Sequence, residues 1–106
     1  MLITGATDGI GRMTASLFAA LPETRVIIHG RSDEKLSKAR DFILARNSEA
    51  NIIALNADLS TVRGAKDLAT AVISKIDSLD ILCNNAGVFT TEFCKTEDQL
   101  EATFAV

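Results

Sequence analysis

The chain has 106 residues, of which 47% are hydrophobic and 24% charged, a balance that fits one small folded domain and excludes a disordered chain. Its formal net charge of −3 excludes the basic field that would hold nucleic acid or an acidic membrane surface. It contains no Tyr and no Trp, which excludes any reaction in which this chain itself supplies a phenol as acid or base.

Leu2-Ile3-Thr4 is a short strand. From Gly9 the pattern turns helical, with Ile10, Met13, Leu17, Phe18 and Leu21 as an apolar stripe, and Pro22 stops it because it lacks an N–H and clashes with the preceding turn. Val26-Ile27-Ile28, bounded by Gly30, is a β-branched run of the kind that is buried on both faces of a sheet. Ser32 is placed to cap a second helix, with Asp33 and Glu34 in its first turn, a Glu34–Lys38 pair, and Leu36, Ala39, Phe42 and Ile43 as its apolar face.

A third strand runs from Ile52 to Leu55 and ends at Asn56-Ala57-Asp58. Ser60 or Thr61 caps a third helix with Val62, Ala65, Leu68, Ala69, Val72 and Ile76 on its inner face. Ile81-Leu82-Cys83 is a fourth strand, followed by Asn84-Asn85-Ala86-Gly87 and a polar loop. Thr96-Glu97-Asp98-Gln99 has the form of a capping box and predicts a last helix carrying Leu100 and Phe104. The alternation implies an α/β fold: a Rossmann-like, doubly wound parallel sheet of strand order 3-2-1-4, with a ligand crevice at the carboxyl ends of strands 1 and 4. Residues 1–106 then form a single, partial dinucleotide-binding domain, truncated after strand 4 and the start of the following helix.

Two cysteines, Cys83 and Cys94, make no disulfide framework, and one histidine makes no zinc cluster. Met1 to Gly5 has no signal-peptide pattern, and no apolar run approaches the ~20 residues that span a bilayer. The chain therefore reads as cytoplasmic, with a membrane anchor ahead of residue 1 left open.

The glycines carry the first chemistry. Gly5, Gly9 and Gly11 lie where strand 1 turns into the first helix, and bare backbone N–H groups at a helix start suit a pyrophosphate. The spacing is G-x-x-x-G-x-G, and no Lys follows the last glycine, so a P-loop is excluded. A tight strand-to-helix turn without a ligand would use the same glycines. His29, at a strand end, reads as packing.

Thr4 to Gly11 resembles the T-G-x-x-x-G-I-G signature of the short-chain dehydrogenase/reductase family, Asn84 to Gly87 its N-N-A-G motif, and Asp58-Leu59 its acidic position after strand 3. The resemblance covers the whole chain, but only the N-terminal, cofactor-binding half of a family member. His29-Gly30-Arg31 and Thr96 to Val106 resemble the retinol dehydrogenase-like branch.

The resemblance implies roles at a nicotinamide dinucleotide site. Gly5, Gly9 and Gly11 admit the pyrophosphate, with Thr7, Asp8 and Ile10 lining the turn. Asp58 accepts from the adenine amino group beside Leu59. Ala86 and Gly87 face the ribose, and Asn84 and Asn85 brace the strand. An ordinary helix cap for Asp58 and an ordinary turn for the two asparagines are the alternatives.

Cofactor choice rests on the end of strand 2, where NAD sites carry an acid and NADP sites an Arg. Here Arg31 and Ser32 follow Gly30 and no acid stands there, which favours NADP over NAD. The position before the second glycine, basic in many NADP-preferring relatives, is Asp8.

The family's Tyr-x-x-x-Lys pair and catalytic Ser are absent, so the chain is expected to be inactive alone and both of its ends to be cut. The expected function is the NADP(H)-binding part of a short-chain oxidoreductase acting on a small-molecule alcohol or carbonyl. A non-catalytic dinucleotide-binding module and an inactive fragment are the alternatives. Oligomeric state stays open, a homo-oligomer of the intact protein included.

Overall fold

The computed structural model describes residues 1–106. Its elements in chain order are β1 (Leu2–Ile3), α1 (Gly9–Ala19), β2 (Arg25–Gly30), α2 (Asp33–Leu44), β3 (Asn51–Asn56), α3 (Val62–Ile73), β4 (Leu82–Cys83) and α4 (Ala102–Ala105). The four strands form one parallel sheet of order β3-β2-β1-β4, as expected. Leu2 lies between Ile27 of β2 and Leu82 of β4, and β2 pairs with β3 from Arg25↔Asn51 to Gly30↔Asn56.

Strand side chains alternate between the two faces of the sheet. Ile3, Val26 and Ile28 point to one face, where they meet Ala15 and Ala19 of α1 and Leu36, Ala39 and Ile43 of α2. Leu2, Ile27 and Leu55 point to the other, where only Leu68 and Val72 of α3 and Ala57 complete a smaller core. Beside that core an apolar trough of about 480 Å³ runs between α3 and β4, lined by Ala65, Ala69, Ile73, Leu79 and Leu82 among others.

Three expectations need correction. The stripe that marks α1 as a helix is not the face it buries: Ile10, Met13, Leu17 and Leu21 are exposed, while Gly11, Ala15, Ser16 and Ala19 face inward. Small residues let the α1 backbone lie close against the sheet, which bulky ones would prevent. On α3 only Leu68 and Val72 are buried, and Val62, Ala65 and Ala69 are exposed, because nothing covers the helix beyond the edge strand β4.

The expected capping box is instead a turn. Gln99 has φ +63°, its N–H donates to the Thr96 carbonyl, and the helix starts only at α4, with Glu101 as its cap. The Glu101 carboxylate accepts from the N–H groups of Thr103 and Phe104, which hold its pKa below the usual range. Asp98 serves a different helix: its carboxylate accepts from Val62 N–H at 2.7 Å, at the start of α3. Thr61 is the local cap there, its hydroxyl accepting from Gly64 N–H at 3.0 Å, and Ser60 is not. Ser32 caps α2 and the Glu34–Lys38 pair is present, both as expected.

Candidate functional site

The carboxyl ends of the strands open into a crevice of about 540 Å³. Its floor is the turn from β1 to α1. Gly5 and Gly9 take φ of +64° and +51°, the left-handed region that L side chains avoid. A Cβ on Gly5 would stand 2.8 Å from Ala86 Cα, and one on Gly11 would stand 2.5 Å from Asn85 Nδ2, so the turn admits no side chain there. A Cβ on Gly9 or Gly87 would meet nothing within 4 Å, so these two glycines line open space.

The first N–H groups of a helix have no intrahelical acceptor. In α1 the Asp8 carboxylate takes that of Gly9 at 2.8 Å and also lies 3.2 Å from Arg12, while Ile10 and Gly11 N–H are left free. The resulting cradle, with bare backbone donors and open space above Gly9, fits the diphosphate of a dinucleotide.

Thr4 and Asn85 hold the turn against β4. The Thr4 hydroxyl accepts from the N–H groups of Asn85 (3.1 Å) and Ala86 (2.9 Å). The Asn85 amide donates to the carbonyls of Thr4 (2.9 Å) and Gly5 (3.1 Å). Asn85 thus spends its side chain on the backbone of the turn, and Ala86 and Gly87 form the wall beside it.

Arg31 and Asp58 form the opposite rim, after β2 and β3. The Asp58 carboxylate accepts from Ser60 N–H at 3.0 Å, and that bond, then the charge of Arg31, holds its pKa below the ordinary value. The first acid after β2 in the chain is Asp33, whose carboxylate accepts from Asn56 Nδ2 at 2.9 Å.

The crevice gathers Gly5, Thr7, Asp8, Gly9, Ile10, Gly11, Arg31, Asp58, Leu59, Asn85, Ala86 and Gly87, along with His29, Gly30 and Ser60. Ser32 is not among its lining residues: its hydroxyl accepts from Lys35 N–H and is committed to the helix cap. Sequence reasoning missed Thr4 as a brace and His29 as a contact of the turn, because neither partner lies near it in the chain. A larger concavity of about 890 Å³ opens at the opposite end of the sheet, around Leu21 to Arg25 and Asp77, Ser78, Asp80 and Ile81. It lies at the amino ends of the strands, away from the glycine turn, where parallel sheets do not place their ligands.

The family model for short chain dehydrogenases matches residues 1–106. The WW domain-containing oxidoreductase of Gallus gallus is 40% identical over 106 residues, covering 100% of this chain and 25% of that protein. Retinol dehydrogenase 13 of Homo sapiens is 33% identical over 106 residues, covering 100% of this chain and 32% of that protein. The chain thus spans about a quarter to a third of the length of the curated relatives it matches. Among solved structures, a metagenomic short-chain oxidoreductase in complex with NADP superposes with a TM-score of 0.74 at 33% identity, covering 82% of this chain and 38% of that one.

Proposed function

The chain belongs to the short-chain dehydrogenase family, and we propose that it forms the NADP(H)-binding part of an oxidoreductase acting on an alcohol or carbonyl substrate. One observation carries this reading: the glycine turn and Arg31 face one crevice, and Asp33, the first acid after β2, is not among the residues that line it. The similarity to a structure that holds NADP supports it.

Each residue has a task at such a site. Ile10 and Gly11 N–H donate to the pyrophosphate, and the bare Gly9 lets it approach. Arg31 grips the 2′-phosphate, which an Asp or Glu at that position would repel. Asp33 opens α2 and lies outside the crevice lining, away from the place where an acid would select the 2′-hydroxyl of NAD. Asp58 accepts from the adenine amino group beside Leu59, and Ala86 and Gly87 pass along the ribose. The bound cofactor carries the hydride. The chain holds no tyrosine, so we assign it binding rather than turnover.

Binding of NADP+ and NAD+ to the wild type and to Arg31→Ala tests the reading. Loss of a charge-assisted phosphate contact should weaken NADP+ by about 1.5–3 kcal/mol, roughly ten- to a hundredfold, and leave NAD+ nearly unchanged. Equal weakening of both would remove Arg31 from the phosphate.

A further inference from the structure

His29 is the one histidine of the chain and is only 2% exposed, at the end of β2. Both ring nitrogens are occupied. Nε2 lies 3.0 Å from the Ala57 carbonyl, and Gly5 N–H points at Nδ1 from 3.3 Å. A carbonyl only accepts, so Nε2 carries the hydrogen, and the bare Nδ1 accepts from Gly5. The backbone carbonyl of His29 also accepts from Ala6 N–H at 2.8 Å. The first residue of the glycine turn is therefore gripped from β2 by the imidazole and from β4 by Asn85, whose amide donates to the Gly5 carbonyl.

We propose that His29 is a positioning residue of the glycine turn that works only with a neutral ring, so that cofactor binding at the turn is lost when the ring takes a second proton. A hydrogen on Nδ1 would face Gly5 N–H, donor against donor, and the turn would have to move. Gly5 has little room to do so, since it already lies against Ala86.

The surroundings favour the neutral ring. Burial lowers its pKa below the ordinary value, opposed by the bond to Ala57 and by the negative charge of Asp58. The other charges near it are few. Arg31 follows the end of β2 and interacts with Asp58. Asp8 of the turn is engaged by Gly9 N–H and Arg12, Leu2 to Thr7 carry no titratable side chain, and α3 turns Leu68 and Val72 to the sheet. A lowered pKa in the folded chain means that acid favours unfolding. The contribution is complete above the unfolded value and is lost as pH falls through the folded one.

Only the identity of the ligand rests on the dinucleotide reading, and the test separates the two. A ¹⁵N NMR titration of the single histidine in the 106-residue chain should show the Nε2–H tautomer, with the Gly5 amide shifting at the same midpoint. NADP+ affinity, followed by calorimetry against pH, should fall about tenfold per unit below that midpoint. His29→Asn, whose amide oxygen can accept from Gly5 but which gives up the bond to Ala57, should bind more weakly than the wild type at neutral pH but more tightly than His29→Leu, and should lose that fall, keeping only the cofactor's own titration. His29→Leu should bind about tenfold more weakly throughout, the loss of about one hydrogen bond. An Nδ1–H tautomer, a Gly5 amide indifferent to the histidine, or an Asn variant with the wild-type acid profile would overturn the proposal. If NADP+ binds at no pH, the cofactor reading fails, and the NMR titration alone decides whether the ring holds the turn.

Discussion

The two faces of the sheet are built to different standards. On the α1 and α2 face, Ile3, Val26 and Ile28 are fully buried, and small residues of α1 bring that helix down onto them. On the α3 face the core is smaller and borders a trough left open between α3 and β4, where Leu82 is 54% exposed and Ile73 76%. Hydrophobic stabilisation scales with the area removed from water, so the first face carries most of the fold and the second contributes less per apolar residue. The glycine turn joins them: it leaves β1 between the faces and is tied to β2 by His29 and to β4 by Asn85.

Paired substitutions can break that contrast. Ile28→Ala, at a site with no solvent contact and neighbours on all sides, should cost about 2–5 kcal/mol in urea unfolding. Leu68→Ala, beside the open trough, should cost about half as much or less, because the gap can collapse or fill with water. Equal losses would mean that the α3 face is as well packed as the other. A smaller effect sharpens the picture at the margin of α3. Asp98→Ala removes the remote acceptor of Val62 N–H while Thr61 still caps Gly64, so the same melts should show about 0.5–1 kcal/mol. Smallest of all, Leu82→Thr on the edge strand should change stability by no more than about 0.5 kcal/mol. It should still reduce self-association in sedimentation, since β4 leaves one side of its backbone unpaired.

The same contrast explains what could be read without coordinates. The β-branched run of β2 and the glycines announce themselves locally, and so do strand order and the crevice that follow from them. The α1 stripe misleads because hydrophobic periodicity reports a helix but not which side it buries. Ile10, Met13 and Leu17 are the more apolar side, yet the alanines make the contact. The inner face of α3 is overread for a related reason: Ala65 and Ala69 have the right spacing but no neighbour to bury them. Thr96 to Gln99 has the composition of a cap, but Gln99 is left-handed and Asp98 is used elsewhere. Thr4 and His29 leave no local trace of their part in the site, since Thr4 meets Asn85 across 81 residues and His29 meets Gly5 across 24.

Every strand pairing in the sheet is parallel, and that bears on how the molecule comes together. No hairpin can start it. The tie between Met1 and Arg25 closes a span of 24 residues, whereas that between Thr4 and Cys83 closes 79. Loop-closure entropy makes the longer span dearer by about 1 kcal/mol, and it is offset by a strand of only two residues. β1, β2 and β3 can therefore assemble with their helices before β4 arrives. Thr4, Asn85 and Ala86 meet only at that last docking, so the crevice is the final part of the chain to acquire its shape. A dinucleotide at the crevice would act as a late clasp, slowing the departure of β4 more than it hastens the first collapse.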